Sequence, residues 1–403
     1  MKQQSNLIIN LCYLYFFLLP IEDFFLQDYI GSSTRITVGV LIVIFYYYGN
    51  SIKWDIMPKY IFIYLGIAVA SVLFWANNPN YYAIFRISMW VITSTLIANL
   101  TYSYPKLSKS FFNIYTVSAL YLVLEALNLF LNSDTPDRVD VEGMNENILA
   151  MHFLVTSLYC FYNLFDTTAE RNKKLISIIG LVIFIGAMIT TGSRSAMLSL
   201  GLGMIIILPK SLNRIGSLIF FGLVSLILIL SISEDNVFVR FASTRFQQAQ
   251  DDKGAGRIVI WKVAEEMIIE NPILGVGFRN FPTEFKNYIG ATPLDIEETN
   301  KLGDRDYAGT HNNALEILAE LGIFGFISFF GLQIVICIRL FKLFKIIPLS
   351  KLLFALIVSM NFNGFFGDLT NLKIYWTIIG VSCGLSYYWI RRINNGYTVE
   401  QTA

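Results

Sequence analysis

The sequence predicts an all-α integral membrane protein of about twelve transmembrane helices, with one large extracytoplasmic loop that contains an amphipathic helix. Three observations point there. Hydrophobic residues make up 55% of the chain and aromatic residues 15%, while charged residues are held to 15%, a balance too apolar for a soluble domain. The mean hydropathy is +0.56. Apolar runs of roughly 14 to 22 residues recur between short polar breaks, the length of bilayer-spanning helices at about 1.5 Å per residue. Barrel strands would be shorter and would alternate.

Taken in order, the runs fall near residues 7–22, 34–49, 59–76, 83–99, 111–131, 148–165, 174–190, 195–208, 214–232, 312–340, 349–366 and 372–390. They divide the chain into an N-terminal bundle (1–232), a loop (233–310) and a C-terminal group of helices (311–403). With both termini cytoplasmic, Lys53, Lys59, Lys106, Lys109, Arg171, Lys173, Lys174, Arg339, Lys342, Arg391 and Arg392 fall inside. The short outer loops then keep only Arg35, Arg138, Arg194 and Lys373, in line with the excess of basic residues on cytoplasmic loops. The first apolar run lacks a small-residue cleavage site before Glu22-Asp23 and reads as a retained span. Cys12, Cys160, Cys337 and Cys383 are isolated within spans, which suits buried apolar side chains. A net charge of +1 gives no sign of a nucleic-acid partner.

The loop of about 78 residues is longer than a connector requires, and such loops tend to carry function. Within it, Gly256-Arg257 leads into an expected amphipathic helix with Ile258, Trp261, Ala264 and Ile268 at helical spacing. Lying on the membrane or lidding the bundle, it ends at Asn271-Pro272. Gly275-Val276-Gly277-Phe278-Arg279-Asn280 then forms a glycine turn that presents an arginine. Arg86 and Arg194 lie at or just below the outer boundary, where a charge signals function when it faces a polar cavity. With Arg257 and Arg279 they can build an electropositive pocket, and guanidinium donors match phosphate oxygens in pairs. The competing reading is that they snorkel to headgroups or pair with carboxylates.

Thr310-His311-Asn312-Asn313 stands where the loop meets a span, with Glu316 and Glu320 on the first turns. His311 is one of two histidines, and the helix dipole there favours a neutral imidazole able to accept a proton. A bound pyrophosphate would push the other way. His152, after Asn145-Glu146-Asn147, is the rival, with a packing or hydrogen-bonding role as its simpler reading. No H-x-x-x-H or H-E-x-x-H pattern exists, and Asp304-Arg305-Asp306 reads as a self-paired loop. A metal-independent site is expected, with no cofactor.

Together these motifs resemble the O-antigen ligase and O-antigen polymerase superfamily: Asn-x-Asn opening a span, Thr-Gly-Ser-Arg-Ser-Ala, Gly-Arg-x-x-x-Trp, Asn-Pro-x-x-Gly-x-Gly, then His-Asn-Asn with Glu and Gly-x-x-Gly behind it. The resemblance covers roughly residues 143–325. It implies a multi-pass glycosyltransferase of the bacterial inner membrane that takes a glycan on undecaprenyl pyrophosphate as donor and uses no metal. Arg194 and Arg257 would hold the pyrophosphate and His311 would activate the acceptor hydroxyl. The acceptor would be another glycan for a polymerase, or lipid A-core for a ligase. A polymerase is favoured slightly, since nothing in the loop suggests a surface for a large phosphorylated acceptor. The alternative from another class is a transporter or flippase, which would usually show internal repeats and a site near the midplane.

Overall fold

The computed structural model describes residues 2–25, 33–47, 51–77, 79–132, 139, 144–209, 257–290 and 309–396. In chain order its α-helices are α1 (Lys2–Phe25), α2 (Ser33–Tyr47), α3 (Tyr60–Phe74), α4 (Tyr81–Ser103), α5 (Leu107–Leu131), α6 (Glu146–Phe165), α7 (Arg171–Thr190), α8 (Arg194–Ile207), α9 (Arg257–Glu270), α10 (Phe281–Ile289), α11 (Asn313–Lys342), α12 (Pro348–Gly364) and α13 (Lys373–Asn394). Helices α4, α5, α6, α7 and α11 are long and apolar enough to cross a membrane, and shorter apolar helices occupy Asn6–Glu22, Arg35–Tyr47, Tyr60–Phe74 and Arg194–Ile207. The expected span at 214–232 lies outside the described residues, as does Asp304-Arg305-Asp306.

The chain packs as two compact units. One comprises Met1–Ile9, Val38–Lys109 and Gly254–Ala403, and the other Asn10–Thr37 and Ser110–Lys253. In the first, α4 and α13 lie against each other along their length because small residues allow it. A Cβ on Gly384 would come within 2.3 Å of the Ala98 carbonyl oxygen, and one on Gly380 within 2.6 Å of that of Ser94. Two glycines four residues apart on one helix face let backbones approach closely in lipid, where packing rather than water exclusion drives association. The Ser94 hydroxyl adds a bond to the Trp376 carbonyl. At one end of this unit Lys53 sits over the Tyr102 ring, Arg391 reaches the Tyr102 hydroxyl and Arg339 donates to the Ile56 carbonyl. Three basic residues expected on one side of the membrane thus share one end. Arg86 lies sixteen residues up the same helix α4 from Tyr102, about 24 Å away.

α11 departs from the expected uninterrupted span. It starts under a sound cap, with the Asn312 side chain accepting from the backbone of Ala314 and Leu315. At Gly322 the backbone turns to φ 59°, ψ −162° and the helix kinks. The kink frees backbone groups that must find partners. The loop after α9 supplies them: Val276 donates to the Ala319 carbonyl at 2.9 Å, Gly277 to that of Glu320 at 2.8 Å, and Ile323 donates to the Pro272 carbonyl at 2.9 Å. Close approach explains the glycines. A Cβ on Gly322 would meet the Ile273 carbonyl carbon at 2.3 Å, and a Cβ on Gly275 (φ 68°) the Glu320 carbonyl carbon at the same distance. The end of α3 completes the seat, the Ser71 hydroxyl accepting from Phe278 N–H and Trp75 Nε1 donating to the Leu274 carbonyl.

α9 is helical where expected, but the buried face differs. Val259, Ile260, Val263, Ala264 and Met267 are buried with Val276, Phe281, Phe285 and Ala319, whereas Ile258 is exposed and Trp261 and Ile268 are half-buried. Nearly every uncharged position of this helix is apolar, so its spacing fits more than one face. Contact with α10 and the first turns of α11 decides among them. Pro282 near the start of α10 has no N–H to leave unsatisfied there.

In the second unit α6 packs on α7 and α8, and α5 contributes Phe111, Phe112 and Tyr115 to the core. Cys12, Cys160 and Cys383 are buried, whereas Cys337 is partly accessible.

Gly275→Ala is expected to destabilise the protein by about 2 kcal/mol or more, since a left-handed non-glycine residue alone costs about 1–3 kcal/mol. Unfolding of the detergent-solubilised variant measures this. An unchanged midpoint would mean that the loop is not seated on the kink.

Candidate functional site

The polar centre of the first unit is built around Arg279. Its guanidinium NH1 donates to Glu316 Oε1 at 2.6 Å and to Asp368 Oδ2 at 3.0 Å, and NH2 donates to Asp368 Oδ1 at 3.4 Å and to Thr370 Oγ1 at 2.6 Å. The Arg279 side chain is 13% exposed and that of Glu316 10%. Burial works against the charge on Arg279, but Asp368, Glu316 and Glu320 raise its pKa above the usual guanidinium value. Burial likewise pushes Asp368 up, yet the charge and hydrogen bonds of Arg279, helped by Thr370 and by Arg86, hold its carboxyl below the usual carboxylate range. Glu320 accepts from Phe281 N–H at 3.3 Å. Its carboxylate therefore grips the start of α10 while its own carbonyl takes Gly277.

Glu316 also links this centre to His311. Its Oε2 lies 3.2 Å from the hydroxyl of Thr310, a residue with no exposed surface. The Thr310 hydroxyl also lies 2.9 Å from the Asn312 carbonyl and accepts from Asn312 N–H at 3.1 Å. The Thr310 carbonyl accepts from Trp261 Nε1 at 2.9 Å. His311 itself is exposed and left-handed, with φ 49°. Among the described residues it and Arg279 (φ 58°) are the two non-glycine residues with positive φ. Arg257 is half-buried on α9, one turn before Trp261 and on the same face.

The expected electropositive residues thus separate by role. Arg86, Arg257, Arg279 and His311 belong to the first unit, and Arg86 acts on Asp368 through its charge. Arg279, expected to be presented by the glycine turn, commits both terminal nitrogens to carboxylates and a threonine. Arg194 belongs to the second unit, where it is exposed at the first position of α8. There the two upstream motifs meet. Ser193 Oγ donates to Asn147 Oδ1 at 3.0 Å, Asn145 caps α6, and Gly192 takes φ 63° to make the turn. His152, on the same α6, is buried, bonds the Tyr115 hydroxyl through Nδ1 at 2.6 Å and stacks on its ring. Its packing role is thereby accounted for. Among the described residues no group of three or more His, Cys, Asp or Glu converges as a ligand set; Glu316, Glu320 and Asp368 surround a guanidinium. Sequence reasoning missed Thr310 and Trp261 as members of this site, and the only signal for either was its place in a motif.

Residues 179–330 match the family model described as O-antigen ligase. This segment is similar to the O-antigen ligase family. It supports the O-antigen ligase and polymerase superfamily to which the motifs pointed, and contains Arg194, Arg257, Arg279, His311, Glu316 and Glu320. Arg86, His152 and Asp368 lie outside it. No curated protein matches the chain.

Removing one member of a buried, hydrogen-bonded ion pair costs about 3–5 kcal/mol, so Arg279→Ala is expected to lower stability by that order. In a double-mutant cycle with Asp368→Ala the two losses should fall well short of adding. Because the folded pKa of Asp368 is lowered, its contribution is present above the unfolded value of about 3.9 and is lost as pH falls through the lower folded value. Acidification across that window should depress the unfolding midpoint of the wild type more than that of Asp368→Asn. Equal slopes would remove this carboxylate from the account.

Proposed function

We propose that this protein is a metal-independent glycosyltransferase of the bacterial inner membrane that uses a glycan on undecaprenyl pyrophosphate as donor and polymerises repeat units of a surface polysaccharide such as O-antigen. The observation that carries the reading is His311: an exposed, left-handed residue directly ahead of the α11 cap and within the segment that matches the O-antigen ligase family model. Trp261 ties the residue before it to the helix that carries Arg257.

The chemistry is a single in-line displacement. His311 accepts the proton of the acceptor hydroxyl, the hydroxyl oxygen bonds to the anomeric carbon, and the bond from that carbon to the pyrophosphate breaks. Arg257 stabilises the negative charge that grows on the departing undecaprenyl pyrophosphate, and the motif resemblance assigns Arg194 a part in holding the same donor. One such step inverts the anomeric configuration. Arg279 acts from behind, through Glu316 and Asp368, and Arg86 supports Asp368. An apolar groove of about 390 Å³ between α3 and α11, lined in part by Tyr60, Ile63, Ile67, Leu274 and Phe324, supports lateral access for a prenyl chain. Its Leu274 belongs to the loop that carries Arg279. Arg279, Glu316 and Asp368 stand in a loop, a first helical turn and an inter-helix turn, a placement that favours catalysis over transport.

The test is reconstitution with an undecaprenyl-pyrophosphate-linked repeat unit, with and without lipid A-core, read by gel mobility. A ladder from donor alone is expected, abolished by His311→Ala and retained by His152→Ala. Arg194→Ala and Arg257→Ala should each reduce turnover by about 10²-fold or more, the order seen when a charge-stabilising donor is lost. Product only with lipid A-core would identify a ligase. Movement of substrate across the membrane without a new glycosidic bond would identify a transporter.

A further inference from the structure

We infer that Glu316 and Thr310 are positioning residues for His311. The inference rests on the reading of His311 as the acceptor base. A histidine at φ 49° stays there only if its neighbours over-determine it. Thr310, with no exposed surface, is held at its carbonyl and its hydroxyl: Trp261 donates to the carbonyl, and Glu316 and the Asn312 backbone meet the hydroxyl. On the other side the Asn312 side chain is committed to the cap. Both peptide units flanking His311 are therefore anchored.

Glu316 is the piece that connects this anchor to the rest of the unit. One carboxylate oxygen faces Thr310 and the other faces Arg279, itself left-handed and bound to Asp368 and Thr370. The two strained non-glycine residues thus stand at opposite ends of one chain of contacts, Arg279 to Glu316 to Thr310 to His311. Glu316 touches neither the imidazole nor, on this reading, the substrate. It acts on where the imidazole points.

The chain's two histidines make the test direct, because ring resonances in isotope-labelled protein in nanodiscs can be assigned with His152→Gln. Thr310→Val keeps the shape and removes the hydroxyl, Thr310→Ser keeps the hydroxyl, and Glu316→Gln keeps an acceptor while removing the charge. The His311 ring signal should move in Thr310→Val and stay in Thr310→Ser, with the His152 signal unmoved in both. Glycosyl transfer should fall at least tenfold in kcat with KM little changed in Thr310→Val, recover in Thr310→Ser, and lie between the two in Glu316→Gln. A His311 signal that does not move in Thr310→Val overturns the proposal, as does a signal that moves without loss of kcat. If the wild type forms no glycosidic bond while the His311 signal responds as described, the positioning geometry stands and the functional reading fails.

Discussion

A guanidinium held among carboxylates organises the first unit. Arg279 is nearly buried, and its desolvation is offset only because Glu316, Asp368 and Thr370 meet its donors in one place. Its partners come from two other stretches of chain: Glu316 from the first turns of α11, Asp368 and Thr370 from the turn between α12 and α13. Arg279 comes from the loop after α9. A charge that is stable only when fully paired commits three segments to a single arrangement. The left-handed backbone at Arg279 is part of that commitment, since it turns the side chain inward.

The kink at Gly322 obeys the same logic with backbone groups in place of charges. Breaking the helix ladder inside an apolar environment would leave carbonyls and an N–H without partners. Here Val276, Gly277 and Pro272 meet them. The irregular backbone is tolerated because another irregular segment is laid along it. Glycines at 275 and 322 are required on both surfaces, because the two main chains approach more closely than any side chain would allow.

These two constraints explain how the turn that carries His311 is held with defined geometry. His311 stands just outside the helix that carries Glu316 and Glu320, so whatever fixes those carboxylates also fixes the turn ahead of them. Arg257 enters by a second route, through the small core that α9 shares with α10 and the start of α11. Arg279 is thus spent on architecture, which its residue type alone would not have shown.

Much of this was legible in the sequence. Apolar runs of membrane-spanning length, separated by polar breaks, determined the helical class, because backbone groups in lipid can be satisfied only within a helix or a closed barrel. Glycine, proline and asparagine spacings marked the ends of α9 and the start of α11, since caps and turns act on neighbouring residues. Single-residue chemistry marked His311 and the arginines. Pairings between distant segments were not legible. Nothing local distinguishes Arg279, locked between carboxylates 37 and 89 residues away, from Arg194, exposed at the start of α8. Nor could spacing choose the buried face of α9, where nearly every uncharged residue is apolar. The kink at Gly322 was hidden for the same reason, because a loop some fifty residues earlier satisfies it. Local pattern specified which elements form and where they end; only the tertiary structure decided which polar groups are consumed in holding them together.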